Sequence, residues 1–329
     1  MIRRLTLVVA LAVSVAACGG PSTPTTEAPT EPTSTTVPAT TTTTVPTTTT
    51  TPDDGFPVTI DAANGPVTIE RRPERIVSLS PTATEMLFAI GAGTQVAAAD
   101  SFSNYPEEAP TTDLSGFEPN LEAISAYEPD LVVLSYDPGD VIAGLEAIGI
   151  PAILQPAATT LDDTFAQIEQ LGAATGNLAD AAALVARMQA DIDELVASVP
   201  TFDEPPTYYH ELDPTYFTAT SKTFIGEIYG LVGLANIADE ADPDGYGYPQ
   251  LSAEYILERD PDFVFLADVK CCGQTAETVA ARPGWDRLTA VQEGRVVELD
   301  DDVASRWGPR IVDLLATVAE AVAQLEPVG

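Results

Sequence analysis

The chain has few of the groups that usually hold metals or nucleic acids. It contains a single histidine, His210, so a cage of several imidazoles around bare zinc or manganese is excluded. Lysine and arginine number 14 against 50 aspartates and glutamates, for a net charge of −36. A surface this acidic is repelled by nucleic acid and by anionic membranes, so no nucleic-acid partner is expected. Apolar runs are short as well. The longest, from Leu5 to Ala17, falls below the roughly 20 residues that a bilayer span needs. No Gly-x-Ser-x-Gly elbow is present, and His210 is the sole imidazole base. An anchored surface hydrolase, which needs an activated nucleophile, therefore has little support. An adhesive or structural lipoprotein leaves the repeat described below without a purpose. No catalytic residue and no cofactor are expected.

The short apolar run has a specific character. Arg3 and Arg4 precede it, and Val15-Ala16-Ala17-Cys18 closes it. This is the pattern of a secretory signal with a lipobox, so residues 1–18 are read as a signal and Cys18 as the lipidation site. The expected location is extracytoplasmic, anchored to the cell membrane through that lipid alone. Residues 19–55 are mostly Thr, Pro and Ser, a composition with too little apolar surface to offset ordering entropy. They read as a tether able to reach on the order of 100 Å when extended. With Cys18 assigned to lipid, Cys271 and Cys272 remain as an adjacent pair. Outside the cytoplasm such thiols oxidise; a structural clip is favoured over a ligand-facing lid or a reduced pair.

The remaining residues are enough for two α/β lobes with mainly parallel sheets. Ile76–Leu79, Leu131–Leu134 and Ile150–Leu154 read as buried strands of a lobe over 56–160. Tyr208–His210, Phe263–Leu266 and Arg295–Leu299 read as strands of a second lobe over 201–329. Between them, residues 161–200 carry a helical spine with an apolar face at Leu178, Leu184, Val185, Met188, Ile192, Leu195 and Val196. The chain then repeats itself. Asn120-Leu121-Glu122 leads to Pro129-Asp130-Leu131-Val132, and Ser252-Ala253-Glu254 leads at the same spacing to Pro261-Asp262-Phe263-Val264. Asn120 and Ser252 suit helix N-caps, which places Glu122 and Glu254 in the first turns of equivalent helices. Interaction with the helix dipole justifies each acid singly, but not the duplication.

Arg75-Ile-Val-Ser-Leu-Ser-Pro-Thr-Ala-Thr-Glu-Met-Leu-Phe-Ala-Ile-Gly-Ala-Gly93, followed by Asp100-Ser-Phe-Ser-Asn-Tyr-Pro106, resembles the opening of extracytoplasmic solute-binding proteins for cobalamin and ferric siderophores. Thr82 and Glu85 in that stretch read as a capping box. Asn120-Leu-Glu122, Glu128-Pro-Asp-Leu-Val132, Pro283-Gly-Trp285 and Gly294-Arg-Val296 extend the likeness over nearly everything beyond the tether. The resemblance implies two Rossmann-like lobes joined by a rigid helix, with one metal-chelate ligand in the cleft between them. It implies that Glu122 and Glu254 meet arginines on an ABC permease dimer, and that the protein works as a monomer without doing chemistry.

By resemblance to the cobalamin-binding members, Tyr105 and Tyr248 match cleft aromatics. Asp302 and Arg306 match a polar pair at the cleft edge, and Tyr136 falls beside another aromatic position. Trp307 and His210 complete the candidate ligand set, His210 also as an axial ligand to cobalt or haem iron. The plainer readings are lobe packing for the aromatic residues, a hydrogen-bonded strand end for His210 and a salt bridge to Asp300-Asp301-Asp302 for Arg306. Aromatic walls suit the broad face of a corrinoid, whereas an anionic ferric siderophore calls for arginines such as Arg306 and Arg310. The corrinoid ranks first, ahead of the ferric siderophore and haem.

Overall fold

A computed structural model describes residues 55–325. The signal, Cys18 and nearly all of the tether lie outside the described residues. No described helix is long and apolar enough to cross a membrane.

The first part begins with the hairpin β1 (Val58–Ala62) and β2 (Gly65–Ile69), then runs through β3 (Ile76–Leu79), α1 (Pro81–Ala89), β4 (Val96–Ala99), α2 (Leu121–Ser125), β5 (Leu131–Leu134), α3 (Val141–Ala147) and β6 (Ala152–Leu154). Two helices follow, α4 (Leu161–Thr175) and α5 (Leu178–Ser198). The second part comprises β7 (Thr207–Glu211), α6 (Phe224–Leu231), β8 (Ala235–Asn236), α7 (Ala253–Arg259), β9 (Phe263–Leu266), α8 (Val269–Cys272), α9 (Ala276–Ala280), α10 (Thr289–Gln292), β10 (Val296–Glu298), α11 (Asp301–Ser305) and α12 (Ile311–Ala323).

The strand order is β4-β3-β5-β6 in one sheet and β8-β7-β9-β10 in the other. All pairings within these two sheets are parallel. Each lobe thus places its first strand beside its second and third, with the fourth outside the third. The repeat in sequence is a repeat of topology.

The matched turns show how the repeat is built. The Asn120 side chain accepts a hydrogen bond from the Ala123 amide, and that of Ser252 from the Tyr255 amide, so both caps form as expected. After each helix one residue takes a left-handed conformation, Glu128 at φ 49° and Asp260 at φ 42°. A proline follows, where helical geometry is disfavoured. Asp130 then accepts the backbone N–H of Glu74 and Arg75 at 3.0 and 2.9 Å. Asp262 accepts that of Thr207 at 2.8 Å. In both lobes the Pro-Asp step therefore ties the helix exit to the start of the central strand.

Two local expectations are corrected. Helix α1 is capped by Ser80, whose side chain accepts from the Ala83 amide, with Pro81 at the first helical position. Proline fits that position and keeps the residue before it out of the helical region, so the cap falls before Thr82 and no Thr82–Glu85 box forms. The spine region holds two helices, α4 and α5, divided at Gly176 with φ 74°. Helix α5 carries the long pattern, about 30 Å at 1.5 Å per residue. Its buried face is Ala181, Leu184, Val185, Met188 and Ile192.

One hydrophobic cluster includes Ile76, Leu131, α5, Tyr208 and Phe263, so it runs through both lobes and the spine. Smaller clusters fill the other face of each sheet, around Val132 and Ile142 in the first and around Tyr209 and Trp285 in the second.

Candidate ligand cleft and acidic corners

In parallel sheets, loops leaving the C-terminal strand ends form the binding surface. Those loops carry the exposed aromatic side chains. Phe102, Tyr105 and Phe117 follow β4, Tyr136 follows β5, Phe217 follows β7, and Tyr246 and Tyr248 follow β8. All seven are between 39 and 83% exposed, far from the burial usual for such rings. Phe102 and Phe117 meet edge to face at 5.9 Å. Of the expected residues, Tyr105, Tyr136 and Tyr248 belong to this set. Phe102, Phe117, Phe217 and Tyr246 were not anticipated, although an aromatic in a loop just past a strand end is a readable signal.

The strand-end loops of the two lobes meet through polar contacts. Arg306 donates to Glu85 at 2.8 Å, to the Phe102 carbonyl at 3.0 Å and to Asp302 at 2.7 Å. Arg310 donates twice to Glu85, at 2.9 and 2.6 Å, and its guanidinium lies 4.2 Å over the Tyr105 ring. Asn104 donates to Asp302 at 3.1 Å, and the Lys270 ammonium bonds both Asp300 and Asp302. Burial pushes the Asp302 carboxyl up, but hydrogen bonds from Asn104 and Lys270 and the Arg306 charge outweigh it, and the acid ends below its ordinary range. A hollow of about 740 Å³ opens beside the Tyr105–Arg310 contact, with Phe88, Ala89, Val96, Pro106, Pro110 and Pro309 among its lining.

The second-lobe strand ends hold a buried acidic pair. Glu211, fully buried, receives Arg282 at 2.6 and 2.5 Å and the Tyr209 hydroxyl at 3.2 Å. Arg282 also lies 4.6 Å over Trp285. Asp268 is equally buried, and neither of its oxygens has a partner. Burial first, and the neighbouring Glu211 second, push the Asp268 carboxyl up to about 7. One proton on Asp268 resolves both the repulsion and the orphaned oxygen. The folded protein holds that proton more tightly than the unfolded chain does. Asp268 therefore contributes stability below its ordinary value of 3.8 and loses it as pH rises through about 7. Melting temperatures from pH 5 to 8 should fall more steeply in the wild type than in Asp268→Asn. Parallel curves would show Asp268 ionised throughout.

Three sequence-based assignments change or sharpen. His210 is fully buried, with Nδ1 2.8 Å from the Tyr229 hydroxyl, and burial pulls its imidazole down to about 3. It leaves the ligand set: a cleft ligand cannot reach it, and its strand position turns it towards the core. Trp307 donates to Gln167 at 2.8 Å and packs on Phe224, so it is anchored in packing and only half-exposed. Cys271 and Cys272 are joined as a vicinal disulfide on the exposed helix α8. The amides of Lys270 and Cys271 are fixed there by Asp301.

Glu122 and Glu254 are exposed in the first turns of α2 and α7. Neither carboxylate has an ion pair among the described residues, and equivalent topology places them at corresponding corners of the two lobes.

The model of the family described as "Periplasmic binding protein" matches residues 76–303. This chain belongs to the periplasmic binding protein family. Within that family its relatives are substrate-binding proteins of ABC importers, and it is a binding protein rather than an enzyme. It is 31% identical over 277 residues to an uncharacterized ABC transporter substrate-binding lipoprotein of Bacillus subtilis, covering 81% of this chain and 86% of that one. It is 34% identical over 276 residues to a cobalamin-binding protein of Halobacterium salinarum, covering 81 and 74%. The periplasmic vitamin B12-binding protein of Vibrio cholerae superposes with a TM-score of 0.63 at 25% identity, covering 77% of this chain and 98% of that one.

Proposed function

We propose that this protein is the lipid-anchored substrate-binding component of an ABC importer, that it captures a cobalamin-type corrinoid in the cleft, and that it hands the ligand to the permease. The observation that carries the ligand reading is the pairing of an aromatic wall with neutralised cations. Seven exposed rings lie on loops that follow the strands, while Arg306, Arg310, Lys270 and Arg282 are each committed to carboxylates of this chain. An anionic siderophore would have to break those ion pairs to use any of these four as a counter-charge. A corrinoid needs only flat apolar contact and a few hydrogen bonds to its amides. A haem would have to take its axial ligand from an exposed tyrosine, since His210 is buried.

Delivery is assigned to Glu122 and Glu254, one per lobe, each offering an unpaired carboxylate to an arginine of one permease subunit. Anchoring is assigned to Cys18. Fluorescence or calorimetric titration of the tether-free domain with cyanocobalamin, a panel of ferric siderophores and haem tests the ligand. Cyanocobalamin should bind tightly and the iron chelates weakly, and Tyr248→Ala should weaken cyanocobalamin by about tenfold, the scale of one lost aromatic contact. Tight binding of a siderophore with no response to cyanocobalamin would sink the corrinoid assignment.

A further inference from the structure

Glu85 is a buried carboxylate without a place in the ligand reading. It sits on α1 of the first lobe, 3% exposed, and three hydrogen bonds from Arg306 and Arg310 of the second lobe use both its oxygens. Every remaining contact of those arginines that reaches the first lobe goes to one loop. Arg306 holds the Phe102 carbonyl, Arg310 covers the Tyr105 ring, and Asp302, itself held by Arg306, accepts from Asn104. The loop from Phe102 to Tyr105 carries two of the exposed aromatic side chains. The Ser103 and Asn104 amides bond only to Asp100 and Phe102 within the same turn. Ser103 itself is buried and tied to Thr84, Asp100 and Thr111 of its own lobe, so the seam bears on its neighbours Phe102, Asn104 and Tyr105.

From this geometry we infer that Glu85 is a positioning residue: it orients Arg306 and Arg310 so that the second lobe grips the Phe102–Tyr105 loop and presents its two rings to the ligand. The inference rests on the aromatic wall being the ligand surface. Two acids and two arginines make the seam neutral, so it adds little to stability over an apolar packing of the same shape. Its hydrogen bonds, however, are directional, and several break together if the loop or the lobe angle shifts. On this account Arg306 acts on the ligand through the loop and not as a counter-ion.

Hydrogen exchange of the ligand-free wild type and of Glu85→Gln supplies the test. The Asn104 and Tyr105 amides should exchange at least tenfold faster in the variant, while amides in the middle of α5 change less than twofold. A purely stabilising role would speed the slow amides alike. Affinity for cyanocobalamin should fall tenfold or more in parallel. Loop exchange within twofold of wild type in a folded Glu85→Gln protein would overturn the inference. Should that variant fail to fold, Glu85→Met with Arg306→Met and Arg310→Leu replaces the seam by apolar groups. A loosened loop there supports the role, and wild-type protection overturns it. The exchange measurement needs no ligand, so a wild type that ignores cyanocobalamin would sink the corrinoid assignment and leave this inference standing or falling on its own.

Discussion

Replacing Glu122 and Glu254 together by lysine should abolish ligand uptake while leaving ligand affinity within about twofold of wild type. Both side chains are exposed and lack an ion pair among the described residues, so no internal partner is stranded by the change. What the fold loses is the interaction of an acid with a helix N-terminus, about 0.3–1 kcal/mol each, too little to unfold a protein of this size. What docking loses is larger. Exposed acid–arginine pairs govern orientation and encounter rate, and reversal turns two attractions into two repulsions at the same corners. Each single reversal should slow uptake by about tenfold, and the pair should act more than additively because both lobes must seat at once. Uptake into cells or reconstituted vesicles, beside calorimetry on the isolated protein, reads the two effects separately. Normal uptake by the double variant would remove the docking role.

Arg282→Met should strongly destabilise the second lobe, costing about 3–5 kcal/mol. That is the usual loss when one partner of a buried ion pair is removed and the other stays charged. Glu211 is fully buried and, among the described residues, takes its cation from Arg282 alone, with Asp268 buried beside it. Without the guanidinium two carboxyls share a dry site, and at pH 8 they can escape only by taking up protons against the solution. In a domain of this length the loss corresponds to a fall in melting temperature of roughly 10 °C. Lowering the pH to 5 should recover part of it, since burial raises the Asp268 carboxyl to about 7 and it is then neutral. Adding Glu211→Gln and Asp268→Asn to Arg282→Met should recover stability at pH 8 as well. Thermal melts followed by circular dichroism at the two pH values check both expectations, and a deficit that ignores pH would point to lost packing against Trp285 instead.

Much of this molecule was legible in short stretches of residues. The strands at Ile76–Leu79, Leu131–Leu134 and Phe263–Leu266, the caps at Asn120 and Ser252, and the duplicated Pro-Asp turn all depend on neighbours within a few positions. Periodicity and capping chemistry report such neighbours directly. The cap of α1 was misplaced because Pro81 takes the first helical position and moves the boundary before Thr82. Glu85, thereby freed from a capping role, was overlooked as a partner for arginines more than 200 residues away.

His210 shows the limit most clearly. Side chains alternate along a strand, so in β7 the ring of His210 shares a face with Tyr208, and Glu211 shares one with Tyr209. Nothing within the strand says which face opens towards the cleft end and which meets α6. The amino-acid sequence by itself determined the twin α/β lobes, the helical spine, the matched acidic corners and the family. The tertiary structure alone decided that Arg306 and Arg310 spend their charge on Glu85, that His210 belongs to the core, and that seven aromatic rings on the strand-end loops stay exposed. The reason is physical: caps, turns and periodicity are set by adjacent residues, whereas charge neutralisation and exposure depend on which distant surfaces packing brings together.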